Sequence, residues 1–423
     1  MQENFLHHIW QFQKLSAQKM HTVNGEMLIV SKVGVRNQNS GPDFFNAQIQ
    51  IGEQLWAGNV EIHLRSSDWF VHHHEKDKNY DNVILHVVWE YDVPVFRKDN
   101  SEIPTLELIH YVSPVTLANY RKIYNKDQKW ISCESEFHHV SDFVFDNWLD
   151  RLFFERLETK SLELNKLLQE ANNDWEALLF KLLAKNFGLK VNAEAFLSVA
   201  QATDFSVIRK VRSNKDFLEA LLLGQAGLLN AEIQDEYFNK LQLDYNYLKS
   251  KFSLDTQSIL PVQFFRLRPS SFPTIRLSQL ANLYHKNVNL FSLIIETHTL
   301  NNIYHLLGTG ASTYWNTHYT FGKTTKHAVK HLTTVFKNLL IINVVVPIKF
   351  SYAQHLGKDA SGEIIALISQ IPAEKNAIIS KYISLRKVSN TMLQSQALLQ
   401  LKKEYCDKHQ CLKCAIGNTL IGG

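Results

Sequence analysis

A chain of 423 residues with 45% hydrophobic and 20% charged residues has the make-up of an ordinary globular protein, long enough for two or three domains and too apolar to be disordered as a whole. Sixteen glycines and nine prolines are few for this length, which favours long regular elements, helices above all, over a turn-rich all-β fold. A formal charge of +4 neither demands a nucleic-acid partner nor excludes one. The opening MQENFLHHIW lacks the basic segment and apolar core of a secretory signal. The longest apolar stretch, Leu339 to Ile348, is interrupted by Asn343 and Pro347 and falls short of the roughly 20 residues a membrane span needs. Three of the four cysteines crowd into the last 18 residues, which points to metal binding in a reducing compartment rather than to a disulfide framework. A cytoplasmic protein with no membrane segment is expected.

The first element in chain order is a short amphipathic helix, with Phe5, Leu6, Ile9 and Trp10 at helical spacing. Strand signals follow. His21-Thr22-Val23 and Met27 to Val33 flank Asn24-Gly25, a dipeptide suited to a tight hairpin turn. Phe44 to Ile51 alternates with Ala47, Ile49 and Ile51 on one face, and Trp56 to Arg65 alternates with Val60, Ile62 and Leu64 inward. The period of two then puts Glu61, His63 and Arg65 together on the opposite face. Further strands are predicted at Val83 to Tyr91 and Thr105 to Ile109. From about Val115 the apolar period becomes three to four, as in Phe145 to Leu168, Trp175 to Phe187, Phe217 to Leu229 and Glu236 to Phe252. The predicted fold is α+β: a mixed or largely antiparallel sheet domain over residues 1–113, then a mostly helical domain over 114–423.

The stretch GPDFFNAQIQIGEQLWAGNVEIH, residues 41–63, carries the clearest chemistry. Asp43 opens one strand, and seventeen residues intervene before Glu61, on the next strand of a predicted hairpin. Two such carboxylates can converge at one end of a sheet and share Mg²⁺ or Mn²⁺, leaving water positions open for a phosphate. The ion would lower the pKa of a bound water and neutralise charge on phosphoryl oxygens. His63 projects from the same face as Glu61 and can orient or deprotonate that water. The same residues also read as a plain Pro-Asp turn followed by solvent-facing strand positions.

Pro42-Asp43 followed by Glu61-Ile62-His63 resembles the signature of the PD-(D/E)xK nuclease superfamily, with His63 where that superfamily has lysine. A histidine titrates near pH 6.5, so water activation would depend more on pH than with lysine. The resemblance implies a phosphodiester-cleaving site made by Asp43, Glu61 and His63, with Glu3 as an additional acid from the preceding helix. The whole chain resembles an uncharacterised bacterial family catalogued as domain of unknown function 2851. That resemblance rests on Asn39-Ser40-Gly41-Pro42-Asp43-Phe44, Gly58-Asn59-Val60-Glu61-Ile62-His63, Ser67-Asp68-Trp69, Val83 to Val88, Phe272-Pro273 with Arg276-Leu277, and the cysteine-rich tail.

Three further groups stand out. The run DWFVHHHEKDKNYDNVILHVVW supplies Asp68, His72, His73, His74, Asp77 and His86. His86 is predicted mid-strand and partly buried, and the triple histidine is predicted to be a solvated loop. A transition-metal site built from His63, His86 and a loop histidine would favour Zn²⁺- or Mn²⁺-like chemistry. Cys406-x4-Cys411-x2-Cys414 suits Zn²⁺ or an iron–sulfur cluster, with Cys133 as the expected fourth thiolate and His409 as a rival. Arg266, Arg268 and Arg276, with Phe272 between them, can hold phosphates and stack on a base, or equally cap helices and pair with acids. Lys326, Lys330 and Lys337 with His327 and His331 read as a helical, solvated basic face. Gly322-Lys323-Thr324 ends like a phosphate loop, but Thr317 stands where the leading glycine is required.

The leading expectation is a metal-dependent nuclease with nucleic acid as its partner. Two rivals stand beside it: a nucleic-acid-binding scaffold without turnover, and a zinc-dependent hydrolase of a small phosphate or ester.

Overall fold

The apolar face read from the N-terminal sequence forms the buried side of α1 (Glu3–Gln11), where Phe5, Leu6, Ile9 and Trp10 are fully enclosed. The computed structural model describes residues 1–16, 19–37, 39–125, 129–388 and 390–422. After α1 come β1 (Met20–His21), β2 (Met27–Lys32), β3 (Val35–Arg36), β4 (Phe44–Ile51), β5 (Gln54–Arg65), α2 (Asp68–Val71), β6 (Val83–Glu90) and β7 (Thr105–Glu107). The strands make one seven-stranded sheet in the order β1-β2-β4-β5-β6-β7, with β3 also beside β4. Pairing is antiparallel from β1 to β5 and parallel from β5 to β7, so the sheet is mixed. Parallel neighbours need a crossover. Between β5 and β6 it is made by α2 and two 3₁₀ turns, His74–Lys76 and Lys78–Tyr80.

This crossover changes the environment of β5. One face of the strand sends Val60 and Ile62 into the main core, among Phe5, Leu6, Ile9, Trp10 and Phe44. The other face is roofed by the crossover itself, whose Trp69 and Tyr80 form a second apolar cluster with Val83. Glu61 and His63 are therefore buried, at 5% and 1% exposure, and not the solvent-facing positions that a simple hairpin would give. Gly58 is required where β5 enters this layer: a Cβ there would sit 2.4 Å from Ile84 Cγ2 and 2.7 Å from the Asn82 carbonyl.

The chain divides into two compact units. Unit 1 comprises Met1–Leu149, Ser380–Lys387 and Leu398–Gly423, and unit 2 comprises Asp150–Ile379 and Val388–Ala397. The division thus falls at Leu149 rather than at residue 113. The first unit also takes in α3 (Pro114–Ile123), the start of α4 (Asp142–Glu170) and the C-terminal segment. The physical reason is core sharing, because Cys411 and Ile421 are buried among the α1 and sheet residues.

Unit 2 is helical, as the three-to-four period predicts. Asp174 caps the helix Trp175–Phe187 by accepting from the Glu176 and Ala177 amides at 3.0 and 3.1 Å. The segment Thr334–His355 is continuous helix, long and apolar enough by length and composition to cross a membrane, with 67% of its apolar window buried inside the protein. Pro347 does not stop it, because the preceding turn, Ile341–Val345, widens into a π segment. Gly322-Lys323 lies at the turn of a small hairpin, His318–Thr320 with Lys323–Thr324. One local expectation is corrected. The residues 325–330 carry no regular secondary structure, so of the predicted helical basic face only Lys337 lies in a helix, Thr334–Leu340, and Lys330 is buried with its ammonium on the Asn316 and Ala328 carbonyls.

Candidate metal centre

Asp43 and Glu61 meet because of strand register. Phe44 pairs with Val60, so the next step of the antiparallel ladder sets Asp43 opposite Glu61. The two carboxylates then bond each other's backbone: the Asp43 amide donates to Glu61 Oε2 at 3.1 Å, and the Ile62 amide donates to Asp43 Oδ2 at 3.0 Å. Asn37 fixes the loop that delivers Asp43. Its amide nitrogen donates to the carbonyls of Asn39, Ser40 and Pro42 at 3.0, 3.2 and 3.1 Å, and its own N–H donates to the Asp43 carbonyl at 2.7 Å.

Imidazoles surround this pair. His63 Nε2 and His74 Nε2 lie 3.5 and 3.3 Å from Glu61 Oε1. His63 Nε2 is also 3.0 Å from His72 Nδ1, and the three rings of His63, His72 and His74 offer ligand atoms all within 4.8 Å of one another. A second group adjoins through Asp43: Glu3, His7 and Asp43 also offer ligand atoms within 4.8 Å of one another, with His7 Nε2 3.1 Å from Asp43 Oδ2 and 3.9 Å from Glu3 Oε1. Arg36 Nη2 approaches the other nitrogen of His7 at 3.2 Å. His63 Nδ1 contacts His86 Nε2 at 2.8 Å, so the fully buried His86 stands behind His63 and sets which way its ring faces. Tyr80 stacks on His74 with ring centres 3.8 Å apart, and Trp69 packs against both His74 and His86.

The electrostatics are those of a site short of positive charge. Burial, reinforced by the neighbouring Asp43 carboxylate, pushes Glu61 up to about 9. Burial also raises Glu3, and the Asp43 charge adds to it. The histidines move the opposite way: burial first, then crowding by the other imidazoles, lowers His63 to about 2, and burial lowers His86 to about 3. Rings held neutral keep a lone pair for a metal, and a buried carboxylate gains most from a nearby cation.

Of the residues expected from sequence, Glu3, Asp43, Glu61, His63, His72, His74 and His86 come together in this one place. Asp77 does not join them; its side chain caps the Lys78–Tyr80 turn by accepting from the Asn79 amide at 2.9 Å. The triple histidine is not uniformly solvated. His73 adopts a left-handed conformation, φ 60°, and this reversal leaves His73 exposed while His74 turns inward. His7 was not among the sequence candidates, although its spacing of four from Glu3 on a helix puts both on one face. The arginine group is split: Arg266 and Arg268 are exposed, but Arg276 is 8% exposed, bonded to Gln279 Oε1 at 2.9 Å and seated over the Phe336 ring. Arg276 is therefore a core residue of unit 2 and not a surface phosphate contact. Cys133, Cys406, Cys411 and Cys414 line one cavity in unit 1.

The family model for a protein of unknown function (DUF2851) matches residues 3–377. The chain belongs to this family. The match takes in every residue of the histidine–carboxylate centre and Cys133, and it ends before the three C-terminal cysteines. No curated protein and no solved structure matches the chain.

Replacement of His86 gives a first expectation for this centre. A His86→Asn protein should keep its fold but bind a divalent transition metal about 10–100-fold more weakly, because the partner that orients a ligand is lost. Titration of metal-stripped protein against a competing chelator measures this, and an unchanged affinity would separate His86 from the centre.

Proposed function

We propose that this protein is a metal-dependent hydrolase of phosphodiester bonds, with nucleic acid as the substrate class. The observation that carries the reading is the convergence of three carboxylates and four imidazoles, delivered by α1, β4, β5 and the crossover, onto adjoining positions. The Pro42-Asp43 and Glu61-x-His63 pattern supports the nuclease class, since Pro42-Asp43 immediately precedes the strand that pairs antiparallel with the one bearing Glu61 and His63. The donor set departs from that resemblance in one respect: His63, His72 and His74 favour Mn²⁺, Zn²⁺ or a similar ion over Mg²⁺.

A divalent cation held here would lower the pKa of its water and offset charge on the phosphoryl oxygens. His63, His72, His74 and Glu61 Oε1 are the groups that would hold it. In this reading His63 serves as a ligand through Nε2, with Nδ1 directed at His86 Nε2, and not as a titrating base, because burial holds the ring neutral. Asp43, Glu3 and His7 form the adjoining position, suited to a second ion or to orienting the attacking water. Glu61 lies between the two groups and joins them through the Asp43 amide.

The same three-histidine arrangement also supports a zinc hydrolase acting on a small phosphate or ester. One set of assays separates the readings. Chelator-stripped protein reloaded with Mn²⁺ or Zn²⁺ is tested on single- and double-stranded DNA, on RNA and on small phosphate esters. The expected result is metal-dependent cleavage of a nucleic acid that is abolished in His72→Ala/His74→Ala protein. Turnover of small esters alone would favour the second reading. Metal-dependent cleavage that is unchanged by the double substitution would overturn both.

A further inference from the structure

Cys133 is distant in sequence from Cys406, Cys411 and Cys414, yet all four line one cavity. Cys133 follows α3, Cys406 ends the helical run that begins at Met392, and Cys411 and Cys414 flank the short 3₁₀ turn after it. All four are free thiols; Cys133, Cys411 and Cys414 are buried and Cys406 is half-buried. They line a single cavity of about 10 Å³ whose remaining lining is apolar apart from Ser132 and Tyr405. Four unbonded thiols pointed into one small apolar space gain little from one another.

Two further observations point to a ligand. Donors are aimed at the sulfurs: the amides of Ile416 and Gly417 at Cys414, Ser132 at Cys411, and the Tyr382 hydroxyl 3.4 Å from Cys406 Sγ. Hydrogen-bond donors of this kind are the partners that metal-bound sulfur accepts. The backbone is also shaped for the purpose, since the chain folds back so tightly over Cys411 that a Cβ at Gly417 would lie 2.1 Å from the Cys411 carbonyl oxygen.

We infer that Cys133, Cys406, Cys411 and Cys414 hold a thiophilic metal centre, a zinc ion or an iron–sulfur cluster, that fastens the C-terminal segment onto the sheet unit. Four thiolates sharing a soft cation is the bonding common to both centres. The clasp acts at a defined place. Cys411 and Ile421 are buried in the core with Phe5, Leu6, Ile9 and Trp10, and Leu412 and Leu420 pack against it. His8 on α1 faces the Leu412 backbone, while its neighbour His7 faces Asp43. The helix that presents Glu3 and His7 to the histidine–carboxylate centre therefore rests on the loop between the metal-holding cysteines.

The test uses the full chain carrying His72→Ala/His74→Ala, so that metal at the other centre does not contribute, purified without oxygen. Zinc, iron and acid-labile sulfide are then quantified and a visible spectrum is recorded. About one zinc per chain without colour, or iron with matching sulfide and a visible band bleached by dithionite, each supports the inference and identifies the centre. Cys406→Ser, the least buried of the four positions, should lower that metal content several-fold. Because cysteine variants can fail to fold, a mercurial titration of the unsubstituted cysteines serves as a second readout, with metal released to a chelating dye in step with thiol modification. Protein that carries neither zinc nor iron, or that releases none on thiol modification, overturns the inference and leaves the hydrolase reading untouched.

Discussion

Glu61→Gln protein is expected to bind divalent metal at least about 100-fold more weakly than the parent and to lose turnover by on the order of 10³-fold, without becoming less stable when metal-free. The two halves of this expectation come from the same carboxylate. With no cation present, the Glu61 side chain is buried beside Asp43 and pushed up to about 9, so near neutral pH it carries a proton. Glutamine has the same shape and remains neutral, and its oxygen can still accept the Asp43 amide that Glu61 Oε2 accepts at 3.1 Å. The metal-free folded state therefore loses little. What glutamine cannot do is become an anion when a cation arrives between His63 and His74. Metal affinity by competition titration, turnover, and the melting temperature of stripped protein should be measured on one preparation. Weak binding with an unchanged or raised melting temperature is the expected pattern. Unchanged metal affinity with a lowered melting temperature would mean that Glu61 serves the fold alone.

Acid should destabilise unit 1 of the stripped protein through its buried histidines, against an opposing gain from Glu61, whose raised pKa makes the folded chain take up a proton first. His8 is 2% exposed, and burial, with Lys14 adding to it, lowers its pKa to about 4 from 6.5. His63 and His86 are lowered further, to about 2 and about 3. For a group depressed in the folded state, its contribution to stability is complete above the unfolded pKa. It is lost as pH falls, because the unfolded chain takes up a proton that the folded chain refuses. The window therefore opens near pH 6.5, and for His8 it closes near pH 4. Each such histidine removes up to about 1.4 kcal/mol per pH unit inside the window, on the order of 3 kcal/mol in total for His8. Chemical denaturation of chelator-treated protein between pH 7.5 and 5 should show this decline, and His8→Gln should make it shallower. An identical slope in His8→Gln would remove His8 from the account.

Much of the centre could be read from residue order, and the reasons are local. A strand's period of two is enough to place Glu61 and His63 on one side, and a turn at Gly52-Glu53 is enough to bring Asp43 across from them. Burial of that side was not legible, because Trp69 and Tyr80 cover it from the β5–β6 crossover and no local pattern says where a crossover lies. Nor could the sequence tell which of His72, His73 and His74 face inward, since that depends on one left-handed residue in the run. His7 had a usable signal in its spacing from Glu3, but its neighbours Leu6, His8 and Ile9 are buried too, and α1 has little exposed surface left to reveal a polar face. The domain boundary was misplaced for a different reason. Periodicity reports which element forms, whereas membership of a unit depends on distant contacts such as those of Cys411 and Ile421 with the first helix.

That last arrangement bears on how the protein is made. The sheet and α1 leave the ribosome first, yet the residues that cover α1 follow an insertion spanning 150–379. At roughly 5–20 residues per second, translating that insertion takes on the order of 10–50 s, during which Phe5, Ile9 and Trp10 lack part of their final cover. A chain that stops before Cys411 is expected to leave part of this apolar face of α1 uncovered.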